Sequence, residues 1–166
     1  MAASLLSTQL FFKEAKYIAC YLPFKDEFDT EAIIHEIWRA DKRCYLPVLT
    51  AAEDNSLVFA RYKQGDELQP NRYSILEPAD SSHTISVEKL NVVLMPLVAF
   101  DCHGHRLGTG GGFYDRTFAF LKGPATKKPL MVGVGYAAQQ SDAIPPDAWD
   151  IKMDMIVTEE NLIFCS

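Results

Sequence analysis

The residues best suited to chemistry lie together in one short segment, residues 106–116. It contains four of the nine glycines of the chain, two arginines, one aspartate and two aromatic residues. Glycine loses much backbone entropy on folding, so such a cluster indicates a tight turn or a close approach of the main chain to a ligand. A glycine-rich loop that enters a helix offers free N–H groups and a positive dipole end, which favour an anion such as phosphate.

This segment matches neither of the two familiar phosphate loops. It has no Gly-Lys-Ser/Thr sequence, and a G-x-G-x-x-G pattern that begins at Gly108 fails because it ends on Phe113. We therefore interpret the segment as a phosphate loop of another type, with Arg106 beside it. The glycine content alone leaves one alternative open, which is a turn needed only for packing.

Asp115 follows the glycines at the position expected for the first turn of a helix. A carboxylate beside phosphates would repel them unless a cation lies between. Its placement therefore indicates Mg²⁺, which takes one or two protein carboxylates together with phosphate oxygens. Substitution of Asp115 by asparagine is then expected to abolish turnover and leave the fold intact. The alternative is an aspartate that only complements the helix dipole.

Three other groups of polar residues could belong to a site. Residues 101–105 include an aspartate, a cysteine and two histidines, but a zinc site usually needs a distant second ligand pair. A solvated turn that bends at Gly104 is therefore favoured. Residues 147–154 contain three carboxylates, and composition alone favours a solvated acidic loop. Glu27 would ordinarily be a surface residue too, but it follows the first strand, where open α/β sheets bind their ligands.

The pattern of apolar residues predicts the elements that hold these groups. Four nearly continuous apolar runs indicate buried strands of a parallel sheet, at residues 17–22, 43–49, 92–97 and 130–136. An amphipathic helix is predicted between the first two strands, which makes a βαβ unit. This helix is predicted at residues 29–40. The other predicted elements are a strand at 57–62, a polar turn-rich excursion at 65–78 and a helix at 113–121.

Length and composition bound the class of protein. The 166 residues, 48% hydrophobic and 23% charged, are predicted to form a single α/β domain from residue 1 to residue 166. A net charge of -6 argues against a broad nucleic-acid surface, and no apolar segment is long enough to span a membrane. Four singly spaced cysteines favour reduced thiols and a cytoplasmic location. We expect a monomer with a small-molecule substrate.

The glycine segment and the residues before it resemble the signature of the 5-formyltetrahydrofolate cyclo-ligase family, also called 5,10-methenyltetrahydrofolate synthetase. That signature corresponds to residues 95–101, Gly104 and residues 106–116. The resemblance extends in the family's order from about residue 17 to residue 157. The further similar parts are residues 21–30 (first strand and substrate turn), residues 71–78 (central loop), and Trp149, Asp150 and Asp154 (acidic segment).

The resemblance implies a fold and a reaction. The fold is an α/β fold with a mostly parallel central sheet and flanking helices, similar to the sugar-phosphate isomerase and coenzyme A transferase type. The reaction is the ATP- and Mg²⁺-dependent cyclisation of 5-formyltetrahydrofolate to 5,10-methenyltetrahydrofolate, with ADP and phosphate released. Phosphorylation of the formyl oxygen converts a poor leaving group into one that the folate N10 can displace. Such phosphoryl transfer depends on positioning and charge stabilisation.

The resemblance also implies roles for individual residues. Arg106 and Asp115 are the implied catalytic residues, and Asp115 and Asp150 are the implied ligands of Mg²⁺. The implied nucleotide-binding residues are Arg106, Leu107, Gly108, Thr109, Gly110, Gly111, Gly112, Phe113 and Tyr114. The implied folate-binding residues are Leu22, Glu27, Tyr73, Thr109, Gly110, Gly111, Gly112 and Phe113. A carboxylate at Glu27 can accept hydrogen bonds from the amino-pyrimidinone edge of the pterin, and aromatic rings can stack on it.

The chain departs from the family's pattern at two places. Some relatives carry basic residues where this chain has Thr109 and Gly111. The family usually begins with a Lys/Arg-rich helix that helps to bind ATP, whereas the first charged side chain here is Lys13. We expect either a shortened version of a longer protein or a reduced affinity for nucleotide. The rival functions are a folate- or nucleotide-binding domain with impaired catalysis and a sugar-phosphate isomerase-like enzyme, although no acid/base pair near the loop supports the latter.

Overall fold

The structure is a computed structural model that describes residues 1–51, 54–108, 110–124 and 127–166. Its α-helices are α1 (Ala2–Ser7), α2 (Leu10–Glu14), α3 (Glu31–Arg39) and α4 (Phe113–Thr117), with 3₁₀ helices at Val87–Lys89, Ala119–Lys122 and Ala137–Gln139. Its strands are β1 (Tyr17–Ala19), β2 (Arg43–Leu49), β3 (Leu57–Arg61), β4 (Leu68–Pro70), β5 (Leu76–Pro78), β6 (Thr84–Ile85), β7 (Val92–Pro96), β8 (Ala99–Phe100), β9 (Arg106–Leu107), β10 (Leu130–Val134), β11 (Met155–Val157) and β12 (Leu162–Phe164).

One large sheet organises the molecule. Its strand order is β12-β11-β10-β7-β1-β2-β3-β6. The strands from β11 to β2 in this order are mutually parallel, and β12, β3 and β6 add antiparallel edges. The predicted mostly parallel central sheet is therefore confirmed. The more specific likeness to sugar-phosphate isomerases and coenzyme A transferases stays a prediction.

The first βαβ unit forms as predicted. β1 and β2 are parallel neighbours, and α3 connects them. The helix begins after Asp29, whose Oδ1 accepts a hydrogen bond from the backbone N–H of Glu31 (3.0 Å). This bond satisfies a donor that the first helical turn leaves unpaired, although the N-cap residue, Thr30, makes no capping bond through its side chain. The face that carries Ile33, Ile34 and Ile37 is buried, as the helical spacing of these residues predicts.

Each face of the sheet has its own hydrophobic core because successive side chains of a strand point to opposite faces. On one face, Ile18, Leu94 and Val132 pack with residues of α1, α2 and α3. On the other face, Met95 and Met131 pack with Phe118 and with residues of the segment between β10 and β11. The second face is the one covered by α4. The glycine segment enters the structure there.

Three predicted elements differ from the structure. The helix predicted at residues 113–121 is two pieces, since Phe118 leaves helical geometry between α4 and the following 3₁₀ helix and is fully buried against Phe59. The excursion at residues 65–78 contains the hairpin of β4 and β5. The strand predicted at residues 17–22 is only Tyr17–Ala19, because the chain then turns toward α3.

No helix within the described parts of the chain combines the length and the apolar character needed to cross a membrane. All four cysteines are free thiols. Cys20 lies at the end of β1, and burial raises its pKa to about 12, with hydrogen bonds to Tyr21 and Thr30 as smaller opposing effects. This thiol is therefore protonated near neutral pH and behaves as a core side chain.

Candidate active site

The glycine loop is held in place by its own carbonyl groups. The Gly111 carbonyl accepts hydrogen bonds from Arg116 Nη1 (2.7 Å) and from Asn55 Nδ2 (3.4 Å). Gly112, the residue before α4, has a left-handed φ of 68°, and a Cβ atom there would lie 2.9 Å from Arg116 Nη1. Position 112 therefore favours glycine for a structural reason. Thr109, which the sequence assigns to both ligands, lies outside the described residues.

Arg106 and Asp115 form a buried ion pair beside this loop. Arg106 Nη2 lies 2.9 Å from Asp115 Oδ1, and the two side chains are only 7% and 11% exposed. Asp115 Oδ1 also accepts a hydrogen bond from the backbone N–H of Ile151 (3.0 Å). The bond from Ile151 joins the start of α4 to the acidic segment near residue 150.

One donor of Arg106 points at no acceptor. Its Nε is buried and has no hydrogen-bond partner in the described part of the chain. Buried polar groups almost always have partners, so this N–H is suited to donate a hydrogen bond to an acceptor such as a phosphate oxygen. Gly108 lies directly beside the guanidinium, because a Cβ atom there would be 3.3 Å from Arg106 Nη1. The helix α4 has only five residues, so its dipole is short, and Arg106 and Arg116 are the cationic side chains that contact this part of the chain.

The two predicted Mg²⁺ ligands lie on segments that meet at Ile151, whose backbone N–H donates a hydrogen bond to Asp115. Asp150 precedes Ile151, and its Oδ2 accepts a hydrogen bond from the backbone N–H of Asp147 (2.8 Å). Within the described residues, no three His, Cys, Asp or Glu side chains form a ready-made metal cluster. Two carboxylates nevertheless fit Mg²⁺, which commonly takes its other ligands from water and phosphate. Asp115 is not a free ligand, however, because Arg106 already occupies its Oδ1.

Asp150 also borders two adjoining clefts on the same face. The larger has a volume of about 560 Å³ and reaches Asn91 and Asp154 at the amino ends of β7 and β11. The smaller, about 230 Å³, includes His105 and Arg106. Asp150 and Lys152 line both. The Arg106 guanidinium is therefore the point where the acidic segment, the smaller cleft and the glycine loop meet.

Glu27 lies past the carboxyl end of β1, as the sequence predicts. Its Oε1 accepts a hydrogen bond from the backbone N–H of Phe24 (2.8 Å). Burial raises the pKa of Glu27, and the Phe24 hydrogen bond opposes this only in part. Leu22 is half-buried nearby and packs against the core on the α3 side of the sheet. Glu27 is therefore a partly buried carboxyl group beyond the carboxyl end of β1.

Tyr114, in α4, is influenced by the charges of both Glu27 and Arg106. Burial raises the pKa of the Tyr114 phenol, the Glu27 charge raises it further, and the Arg106 guanidinium lowers it. Both charged groups therefore lie within electrostatic reach of the ring. Tyr114 also stacks on Phe118, with centroids 6.4 Å apart and planes within 12°.

Tyr73 meets the glycine segment through its ring. The Tyr73 and Phe113 centroids are 6.1 Å apart in an edge-to-face arrangement. Asn71 shapes the turn that presents Tyr73, because its Oδ1 accepts hydrogen bonds from the backbone N–H groups of Tyr73 (2.8 Å) and Ile75 (3.2 Å). This contact brings together residues 40 positions apart in the sequence. The structure therefore places Tyr73 beside the glycine segment, and its role in folate binding stays a prediction.

Two supporting residues were missed by the sequence reasoning. Glu77 is a buried carboxylate whose Oε2 accepts hydrogen bonds from the backbone N–H of Leu49 (3.2 Å) and from Asn71 Nδ2 (3.3 Å). It ties the hairpin that carries Tyr73 to the end of β2. Asn55, described above, holds the glycine loop. Glu77 could have been identified from the sequence because it lies in the family-like segment 71–78. No sequence feature points to Asn55.

The aspartate-histidine segment is a structural turn. Asp101 is fully buried and accepts hydrogen bonds from the backbone N–H groups of His103, His105 and Ile144 and one from His105 Nδ1. Gly104 completes the turn with a φ of 91°, and a Cβ atom there would lie 2.3 Å from the Met153 carbonyl oxygen. The favoured interpretation of a turn is therefore confirmed, although its aspartate is buried rather than solvated.

Asp101→Asn is expected to destabilise the fold by about 2–4 kcal/mol at pH 7, because an amide cannot accept all of these hydrogen bonds. Burial alone would raise the pKa of Asp101, but the hydrogen bonds from Ile144, His105 and His103 lower it below its ordinary value. This contribution is present above the unfolded pKa of about 3.9 and is lost as pH falls through the lower folded value. Urea unfolding at pH 7 and below pH 4 tests this.

The difference in unfolding free energy between wild type and Asp101→Asn should shrink on acidification. Asp142→Asn, at an exposed position, is the matched control. Equal urea midpoints for wild type and Asp101→Asn at pH 7 would contradict the structural role.

Comparison with known proteins identifies the family of the chain. A model of the 5-formyltetrahydrofolate cyclo-ligase family matches residues 1–159. The 5-formyltetrahydrofolate cyclo-ligase of Escherichia coli strain K12 is 41% identical over 145 residues, which cover 87% of this chain and 78% of that protein. The Haemophilus influenzae protein of the same name is 38% identical over 147 residues, with 87% and 77% covered.

Solved structures give the same result. The Aquifex aeolicus 5,10-methenyltetrahydrofolate synthetase superposes with a TM-score of 0.79 at 35% identity, covering 98% of this chain and 78% of that one. The Mycoplasma pneumoniae 5,10-methenyltetrahydrofolate synthetase shares the fold, with a TM-score of 0.68 at 24% identity and 94% and 80% covered. The chain is therefore an enzyme of the 5-formyltetrahydrofolate cyclo-ligase family.

Proposed function

We propose that this enzyme converts 5-formyltetrahydrofolate to 5,10-methenyltetrahydrofolate with consumption of ATP in the presence of Mg²⁺, as one catalytic domain in the cytoplasm. The names of the family and of its similar members support the substrate and product. The observation that carries the nucleotide part is the buried Arg106 with an unfilled Nε donor beside a glycine loop. An anionic group is the natural occupant of that position.

At the folate end, Glu27 accepts hydrogen bonds from the amino-pyrimidinone edge of the pterin. Its partial burial supports this role, because a carboxylate out of water gains most from paired donors. Leu22 lines the same edge of the sheet. Tyr73 and Phe113 offer ring surfaces for the flat parts of the substrate. The folate thus lies along the carboxyl ends of the central strands.

At the nucleotide end, Arg106 binds the transferred phosphoryl group, and the main chain from Leu107 to Tyr114 surrounds the phosphates. Asp115 and Asp150 would hold Mg²⁺, which supplies neutralisation of the phosphate charge when bound. For that, the Arg106–Asp115 pair must open, so that the arginine turns from the carboxylate to the phosphate. Both partners then exchange an internal ion pair for contacts with the nucleotide.

In the proposed reaction, the side chains position the substrates and stabilise charge, and they form no bond with them. The formyl oxygen attacks the γ-phosphorus of ATP, and the bond to ADP breaks. The folate N10 then attacks the formyl carbon and loses its proton, and the formyl oxygen leaves with the phosphate. Arg106 stabilises the charge that develops on the phosphoryl oxygens, while Glu27 and the ring pair hold the substrate for in-line attack.

Incubation of the protein with ATP, Mg²⁺ and 5-formyltetrahydrofolate is expected to produce the near-ultraviolet absorbance of the methenyl product, with one ADP formed per product. Omission of ATP is the control and should give no absorbance change. Calorimetric binding of folate without ATP consumption would instead support the binding-domain alternative. Absence of both product and folate binding would contradict the proposal.

A further inference from the structure

The amino ends of four neighbouring strands lie in one row, at the edge of the sheet opposite to Glu27. Tyr17 at the start of β1 pairs with Arg43 at the start of β2. Asn91, which precedes β7, donates its backbone N–H to the Tyr17 carbonyl and accepts from the backbone N–H of Leu130 at the start of β10 (both 2.9 Å). Adjacent strands lie about 4.8 Å apart, so the row from β2 to β10 spans about 14 Å.

Basic side chains collect along this row. The segments at the amino ends of the four strands carry the basic residues Lys13, Lys16, Lys42, Arg43, Lys89, Lys127 and Lys128. The acidic residues of the same segments are Glu14, Asp41 and Glu88. Lys42 and Lys128 already donate hydrogen bonds to main-chain carbonyl groups. Positive charge is therefore in excess at this edge, although the whole chain has a net charge of -6, and such a patch attracts anionic groups.

Tyr17 organises the centre of the row. Two cations contact its ring, with Lys16 Nζ 5.4 Å and the Arg43 guanidinium carbon 5.7 Å from its centroid. Lys16 and Arg43 are exposed, and Tyr17 is partly exposed. Among the residues that the structure describes, neither cation forms an ion pair with a carboxylate. The aromatic contacts therefore orient two charges whose N–H groups face solvent.

We propose that this edge is an interaction surface for a short acidic segment of a partner protein. An extended segment rises about 3.4 Å per residue, so about four residues cross the row. Arginine and tyrosine are enriched among the residues that contribute most to protein association. A long polyanion such as nucleic acid is disfavoured, because the acidic remainder of the chain repels it. The surface lies away from the Glu27 edge, so a bound partner leaves that edge open.

Fluorescence anisotropy with a labelled octa-aspartate peptide tests the inference in the absence of ATP and folate. The peptide is expected to bind wild type with a Kd that rises with salt, because ions screen exposed charges. Lys16→Gln and Arg43→Gln are each expected to raise the Kd about 2- to 5-fold, the size of an exposed charge pair, and the double variant about 5- to 20-fold. Their urea midpoints should equal that of wild type, because both side chains are exposed.

Lys25→Gln is the matched control. Lys25 is also exposed and also lies over a neighbouring ring, with its Nζ 5.2 Å from the Phe24 centroid, but it follows the carboxyl end of β1. Equal Kd values in Lys16→Gln and Lys25→Gln would overturn the inference. Absence of peptide binding by wild type, or tighter binding of a single-stranded oligonucleotide of equal charge, would overturn it too. The measurement needs no turnover, so its outcome is independent of the proposed function.

Discussion

Replacement of Asp115 by asparagine is expected to lower kcat about 100- to 1,000-fold, in line with loss of one group that stabilises transition-state charge. The same change is expected to lower the free energy of unfolding by about 2–3 kcal/mol, because it leaves the buried Arg106 charge without its anionic partner. Because of this ion pair, the substitution is expected to weaken the fold, whereas the sequence alone predicted an intact fold. Initial rates and urea unfolding of the same preparations measure both effects.

The double variant Arg106→Met, Asp115→Asn separates stability from chemistry. It removes both charges, so it should be more stable than Asp115→Asn alone, while its activity should be no higher. Recovery of activity together with stability would contradict the catalytic roles of both Arg106 and Asp115. Wild-type Mg²⁺ dependence in Asp115→Asn would equally count against its role as a metal ligand.

Glu27→Gln is expected to raise the KM for 5-formyltetrahydrofolate about 10- to 100-fold, the range for loss of a charge-assisted hydrogen bond. In wild type, the KM should also rise as pH falls, because protonation removes the acceptor. The raised pKa of Glu27 moves this rise to a higher pH than an ordinary glutamate would give. The variant should lack this part of the pH profile. Profiles of KM between pH 5 and 8 test the prediction.

The contribution of Glu27 to the free energy of unfolding should change with pH in the opposite sense to its contribution to folate binding. It should increase as pH falls. A carboxyl group with a raised folded pKa stabilises the fold most below its unfolded pKa, and this contribution declines as pH rises through the folded value. Glu27→Gln should therefore be no less stable than wild type at neutral pH. The exposed neighbour Asp26→Asn is the control for a change of net charge, and an equal KM increase in that variant would contradict the specific role of Glu27.

The parallel core of the fold could be predicted because burial on both faces leaves a direct mark in sequence. The runs that became β2, β7 and β10 are nearly continuous in apolar residues. The helix after the glycines could not be bounded, because its break at Phe118 is set by a tertiary contact with Phe59. Local composition favoured a continuous helix, and packing overrode it.

The sequence indicated which residues to consider for the candidate site, but it indicated only some of the contacts between them. Glu27, Asp115 and Asp150 were selected by their positions after strands, at a helix start and in a family-like segment. The pairing of Arg106 with Asp115 was not predicted, because nothing in the linear order states which charge meets which. The ring contact of Tyr73 with Phe113 likewise depends on a hairpin that polar, turn-rich sequence did not reveal.

The hairpin of β4 and β5 forms a sheet of its own, and the Glu77 carboxylate joins it to β2. Half of the Tyr73–Phe113 ring pair therefore belongs to a small unit outside the hydrogen-bonded ladder of the eight-stranded sheet. On the proposed function, the position of the Tyr73 ring beside the folate depends on how firmly Glu77 holds this unit against β2. We therefore expect residues that only hold the hairpin, such as Asn71 and Glu77, to influence affinity for folate without contacting it.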